Sequence, residues 1–176
     1  MRSRYLVLEP GRPHFVTSTI VEWLPVFTNA AACDILVRSL AHAREHKQLR
    51  IHGWVILDNH FHAVLTAPDL ASVLRDLKSF TAREILRQLA SEGREWLLNR
   101  LRYYRLPHKP NEFQVWQEGS HPQAIMSNET MAQKLTYLYS NPVKRGLVSA
   151  PEHWRYSSAQ EWLPGVTPVL RCDPWR

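Results

Sequence analysis

The chain has 176 residues, 44% of them hydrophobic, enough to bury one full core, and its formal net charge of +6 favours a polyanionic partner, nucleic acid first. No apolar run is long enough to span a bilayer, which argues against an integral membrane protein, and the first fifteen residues lack the hydrophobic core of a signal peptide, so a cytoplasmic location is expected. Cys33 and Cys172 stand alone, with no partner at metal or redox spacing, and are read as reduced thiols.

His14 to Val21 (HFVTSTIV) is rich in β-branched residues and reads as a first strand after the Pro10-Gly11-Arg12-Pro13 loop. Asn29 to Lys47 follows as a helix, with Ala32, Ile35, Leu36, Leu40 and Ala43 at helical spacing. Trp54 to Leu65 (WVILDNHFHAVL) reads as two strands joined by a tight turn at Asp58-Asn59, because Asx residues favour turns and β-branched or aromatic residues favour the flanks. His60 and His62 then open the second strand. Side chains two apart on a strand share a face, roughly 6 to 7 Å apart, so both imidazoles can meet one metal ion while Phe61 enters the core. A His-x-His pair can also arise by chance among nine histidines, and two imidazoles seldom hold a metal alone, so the reading requires a third ligand.

Pro68-Asp69 starts another helix, whose stripe is Leu70, Val73, Leu74, Leu77 and Phe80, with Arg75, Lys78 and Arg83 off the stripe on a solvated, charged side. From Gly93 to Pro110 the pattern weakens into a basic, aromatic segment that suits a nucleic-acid strand and equally suits a flexible loop. Phe113 to Glu118 (FQVWQE) alternates as a half-buried strand does. Ser127 is a good N-cap for a last helix, with Glu129 in its first turn, expected to run to about Ser140 before Pro142 stops it. Residues 1–150 are read as one domain, and 151–176 as a tail wrapped over it. Strand, helix, strand hairpin, helix, strand is an α+β layout of ferredoxin-like type, helices packed on a mainly antiparallel central sheet.

In the last helix, at about 100° per residue, Met131, Leu135 and Leu138 form the buried stripe. Tyr139 lies roughly 60° from its centre and is the packing tyrosine; Tyr137 lies roughly 140° away and faces out. Asn141 falls at i+4 from Tyr137, so one face can present a phenol and an amide oxygen, although a residue before proline tends to leave the helical region. Two imidazoles and an amide oxygen make a three-ligand site with open positions, suited to Mg²⁺ or Mn²⁺ and to polarising a phosphodiester, with Tyr137 as a nucleophile beside it.

WVILDNHFHAVL, WQEGSHPQAI and YLYSNPVKRGLV, in that order, resemble the single-tyrosine transposases of the IS200/IS605 type, above all the REP-associated tyrosine transposases, which are HUH endonucleases. The resemblance covers about Arg12 to Tyr156, and EHWRYSSAQEW is similar to the motif that follows in those relatives. It implies an HUH fold, with His60 and His62 as the paired metal ligands, Tyr137 as the nucleophile and Asn141 as the third ligand. It also implies metal-dependent cleavage and rejoining of single-stranded DNA beside a hairpin through a 5′-phosphotyrosine, with a free 3′-OH. Asp58 departs from the pattern, standing where a proline is expected. Lys144 and Arg145 are expected phosphate contacts, and Lys78 and Arg83 further ones.

Three other functions compete with this one. A hairpin-binding module without strand-joining activity would keep the same surface. An RNA-binding domain is expected to carry a Gly/aromatic signature, absent here. A histidine phosphoesterase needs a second His motif, whereas His14, His52 and His121 are scattered singles suited to packing or surface roles. The DNA sequence recognised, a monomeric or homodimeric state, and whether Tyr137 serves its own chain's His pair or a partner's stay open at this level.

Overall fold

The computed structural model describes residues 9–106, 111–119 and 122–175. His121, and residues 107–110 at the end of the basic, aromatic segment, lie outside them. β1 (His14–Thr19), α1 (Ala30–Lys47), β2 (Arg50–Ile56), β3 (His60–Thr66), α2 (Leu70–Ser91), α3 (Glu95–Tyr103), β4 (Gln123–Ala124) and α4 (Asn128–Lys144) follow in order. The sheet order is β2-β3-β1-β4, with every pairing antiparallel, which is the ferredoxin-like arrangement expected from the sequence.

Strand periodicity sorts the side chains into two layers. Phe61, Ala63 and Leu65 of β3 point into the main core with Val16, Trp54 and the buried stripes of α1 and α2. On the other face Val64 joins Phe15, Val55 and Leu57 in a second cluster closed by Met131 and Leu138 of α4. His60 and His62, in phase with Val64, therefore lie on the α4 face. Gly53 of β2 permits the close approach of α4: a Cβ there would lie 2.4 Å from Leu135 Cδ2 and 3.3 Å from the Tyr139 hydroxyl.

Asn29, Asp69 and Ser127 cap α1, α2 and α4, each accepting a backbone N–H from three residues on. Three boundaries differ from expectation. β1 ends at Thr19, and Val21–Trp23 forms a short 3₁₀ turn. Phe113–Glu118 is not the last strand: Gln114, Val115 and Trp116 are all buried, breaking the alternation, because Gln114 turns inward to donate to the Trp116 carbonyl and accept from Leu106 N. That segment bridges Ile20 through Trp116, and the two-residue β4 pairs with His14 and Phe15 instead. Finally, α4 continues through Pro142 to Lys144. Proline removes one donor, and the side chains of Ser140 and Asn141 both donate to the Tyr137 carbonyl in the turn before it.

The segment from Glu95 to Tyr103, where the pattern weakens, is the amphipathic helix α3, burying Leu97, Leu98 and Leu101. Beyond Pro151 the chain runs along β2. Ile56 N donates to Tyr156 O, Trp154 Nε1 to Ile56 O, and Asp173 N to Ile51 O, so the outer edge of the sheet is covered.

Candidate active site

His60 and His62 sit side by side on the α4 face of β3, their rings 4.7 Å apart at 75°. Each is oriented by a neighbour. His60 Nδ1 donates to Asn59 Oδ1 at 2.6 Å, and His62 Nδ1 lies 2.8 Å from Thr17 Oγ1 on β1, opposite it in register. In the tautomers that donate through Nδ1, the Nε2 lone pairs of both rings are left for another partner. Burial, helped by the nearby Arg145 guanidinium and opposed by Asp58, pushes His60 down to about 4; burial, then His60 and Lys134, pushes His62 down to about 3. Both rings are therefore neutral at neutral pH, the form in which imidazole binds metal.

Tyr137 comes to this pair from α4. Its ring meets His62 edge-on at 5.4 Å and Phe15 at 5.8 Å, and it remains 46% exposed. The phenol ring is thus placed against His62 and stays open to solvent. Tyr139, two residues on, is the packing tyrosine: its hydroxyl meets Ser158 and its ring meets Trp162. Burial raises its phenol to about 12, as suits a packing residue.

Asn141 is helical, so the i+4 relation to Tyr137 holds. Its Nδ2 donates to the Tyr137 carbonyl, which leaves Oδ1 as an acceptor. One turn further, Arg145 pairs with Asp58 at 2.9 Å and donates to Asn59 Oδ1 at 3.3 Å. Tyr137 against His62 and Arg145 against Asn59 bracket Asn141 between two contacts with β3 and its leading turn. Asp58, where a proline was expected, thereby ties the hairpin to the end of α4.

The residues fit a divalent cation on one physical ground. His62 Nε2 is buried without a hydrogen-bond partner among the described residues, on the face beside His60 and Tyr137, and a buried polar atom left so is costly unless something binds it. No cluster of three His, Cys, Asp or Glu occurs among the described residues, and the side chain of another type on this face is the Asn141 amide.

The expected phosphate contacts divide. Lys144 holds its ammonium 5.7 Å from the Tyr137 ring centre, at the site. Arg145 is at the site but engaged with Asp58 and Asn59. Lys78 is corrected: it is buried on the opposite side of the sheet, 5.9 Å from the Trp116 ring centre, and burial lowers its ammonium to about 8. Arg83 is exposed but lines the α1–α2 groove, also on that opposite side. Lys134, one turn before Tyr137 and 4.9 Å from the Phe15 ring centre, is a further cation beside the site, one not expected from the sequence. Its i−3 spacing from Tyr137 was the available signal.

No protein-family model matches the chain. Over 114 residues, 65% of this chain, it is 29% identical to a protein provisionally named a REP-associated tyrosine transposase in Haemophilus influenzae. Over 125 residues it is 24% identical to the REP-associated tyrosine transposase of Escherichia coli K12. The matches span 61% and 63% of those proteins' own lengths. A solved structure of a REP-associated tyrosine transposase bound to a REP hairpin superposes with a TM-score of 0.64 at 19% identity, over 97% of this chain and 91% of that one. The resemblance to REP-associated tyrosine transposases drawn from the sequence motifs is borne out by the two curated relatives, and the solved neighbour shares the fold. Among the described residues no helix is long and apolar enough to cross a membrane.

Proposed function

We propose that this chain is a metal-dependent single-stranded DNA endonuclease and strand transferase of the tyrosine transposase kind, acting beside hairpin-forming sequences. One observation carries the reading: a solvent-open tyrosine rests on the second of two adjacent, neutral, strand-borne histidines, within one chain. The similarity to proteins named as transposases, one of them solved with a DNA hairpin, supports the choice of DNA as substrate.

In this account Tyr137 Oη attacks the scissile phosphorus. The Tyr–O–P bond forms as the P–O3′ bond breaks, the phenol gives up its proton, and the departing 3′-oxygen takes one up. His60, His62 and Asn141 Oδ1 would hold a divalent cation, Mg²⁺ or Mn²⁺, which would supply polarisation of the scissile phosphate when bound. Thr17 and Asn59 hold the two imidazoles in the tautomer needed, while Lys144 and Lys134 flank the phenol and offset phosphate charge. The phosphotyrosine ester retains the bond energy, so a second 3′-OH can reverse the step without ATP.

The test uses 3′-labelled hairpin oligonucleotides with single-stranded flanks, drawn from the genome around the gene, incubated with protein and Mn²⁺ and run on a denaturing gel. Wild type is expected to give a covalent protein–DNA band and Tyr137→Phe none. Tight binding without a band across the set would instead make the chain a hairpin-binding module.

A further inference from the structure

At the end of β1 the backbone does something unusual. Glu22 and Trp23, consecutive non-glycine residues, both take left-handed φ angles, 51° and 54°. Such conformations persist where the surroundings over-determine them. Here Trp23 N donates to Ile20 O, Leu24 N to Val21 O, and the Trp23 carbonyl accepts from Asn59 Nδ2. Val21, Leu24, Val26 and Phe27 are all buried, yet the Trp23 indole is 56% exposed. Lack of a core does not explain that exposure; the turn holds the indole out of it.

The indole stands at the candidate site. It meets the His60 ring at 5.5 Å and 79°, as Tyr137 meets His62, so an exposed indole and an exposed phenol flank the two ends of the histidine pair. Asn59 links this end together: its Nδ2 anchors the Trp23 backbone while its Oδ1 accepts from both His60 and Arg145. A flat, neutral, open ring beside a cationic, phosphate-handling site suits a nucleobase, because bases stack on aromatic faces while phosphates meet the cations.

We propose that Trp23 forms a stacking subsite for an unpaired base adjoining the phosphate that Tyr137 attacks, a role that rests on the DNA-cleavage reading above. It makes the strained turn after β1 part of the DNA-binding surface, and it gives the site a means of setting the register of the strand over the histidine pair.

The experiment measures binding in EDTA, without cleavage, by fluorescence anisotropy of the same 3′-labelled hairpins and of a series with one abasic position walked through the flanks. Wild type, Trp23→Ala and Trp23→Phe are compared. Wild type should lose about 10-fold in affinity at one flanking position, Trp23→Ala should bind intact DNA about 10-fold more weakly and be indifferent to that position, and Trp23→Phe should retain most of both properties. A structural role alone predicts losses that multiply at every position, and that result, or unchanged binding by Trp23→Ala, would overturn the subsite. A wild-type covalent band in Mn²⁺ without the abasic signature refutes the subsite alone. The signature without a band refutes cleavage and leaves the subsite standing, whereas absence of DNA binding by wild type refutes both.

Discussion

Replacing Gly53 by alanine tests how closely α4 must sit on the sheet. The backbone of Gly53 lies outside the left-handed region, so alanine is conformationally acceptable, and relief of glycine's entropy contributes about 0.5–1 kcal/mol of stability. Against that, the new methyl would lie 2.4 Å from Leu135 Cδ2, and overpacking of this kind costs about 1–3 kcal/mol. The net loss is about 1–2 kcal/mol, or a fall in Tm of about 3–6 °C for a domain of this size. Leu135 precedes Tyr137 by two residues, so lifting the helix moves the phenol off His62, and a displacement of ~1 Å lowers the rate of adduct formation about 100-fold. Leu135→Ala removes the clashing atoms. In that background Gly53→Ala should be neutral or slightly stabilising, a coupling of about 1–3 kcal/mol in a double-mutant cycle read by thermal unfolding. Equal costs of Gly53→Ala in both backgrounds would refute the packing account, and an unchanged adduct rate in a destabilised Gly53→Ala would refute the link to Tyr137.

Burial holds the His60 and His62 pKa values below the ordinary 6.5, so as pH falls through 6.5 the unfolded chain takes up protons that the folded chain does not, and stability declines toward pH 4. Each ring should contribute a loss on the order of 2 kcal/mol by pH 5, and His62→Gln should flatten the metal-free profile of Tm against pH; parallel profiles would contradict it. The Arg145–Asp58 pair is about one-third exposed at each partner (34% and 36%), so Asp58→Asn should cost about 0–1 kcal/mol and lower Tm by less than about 3 °C in a melting experiment. Asn141→Ala should raise the Mn²⁺ concentration for half-maximal adduct formation at least about 10-fold while leaving hairpin affinity in EDTA unchanged, a titration whose invariance would remove Asn141 from the ligand set.

The parts of this molecule that were legible are those in which one local signal governs. Strand period 2 puts His60 and His62 on a common face; helical period 3.6 separates Tyr137 from Tyr139 and pairs Tyr137 with Asn141; Ser127 caps the last helix as its chemistry dictates. What escaped depends on tertiary context. Lys78 is off the apolar stripe yet is covered by Trp116 from a segment some forty residues away, which no helical projection contains. Phe113–Glu118 has strand periodicity, but Gln114 is satisfied inward, and the sheet takes its fourth strand from Gln123–Ala124, too short to carry a period at all. Pro142 stops a helix in the general case; here α4 runs through it to Lys144. Trp23 carried no sequence signal: it stands between Glu22 and Leu24, and the left-handed turn is what faces it outward.

The central claim is that Tyr137 itself becomes the phosphorylated residue. Protein incubated with hairpin DNA and Mn²⁺, digested with nuclease and protease and analysed by mass spectrometry, should yield a nucleotide-bearing peptide from α4 whose fragmentation places the phosphodiester on Tyr137. Placement on Tyr139 or another residue, or DNA cleavage with an unmodified Tyr137 and no covalent peptide, would contradict the account.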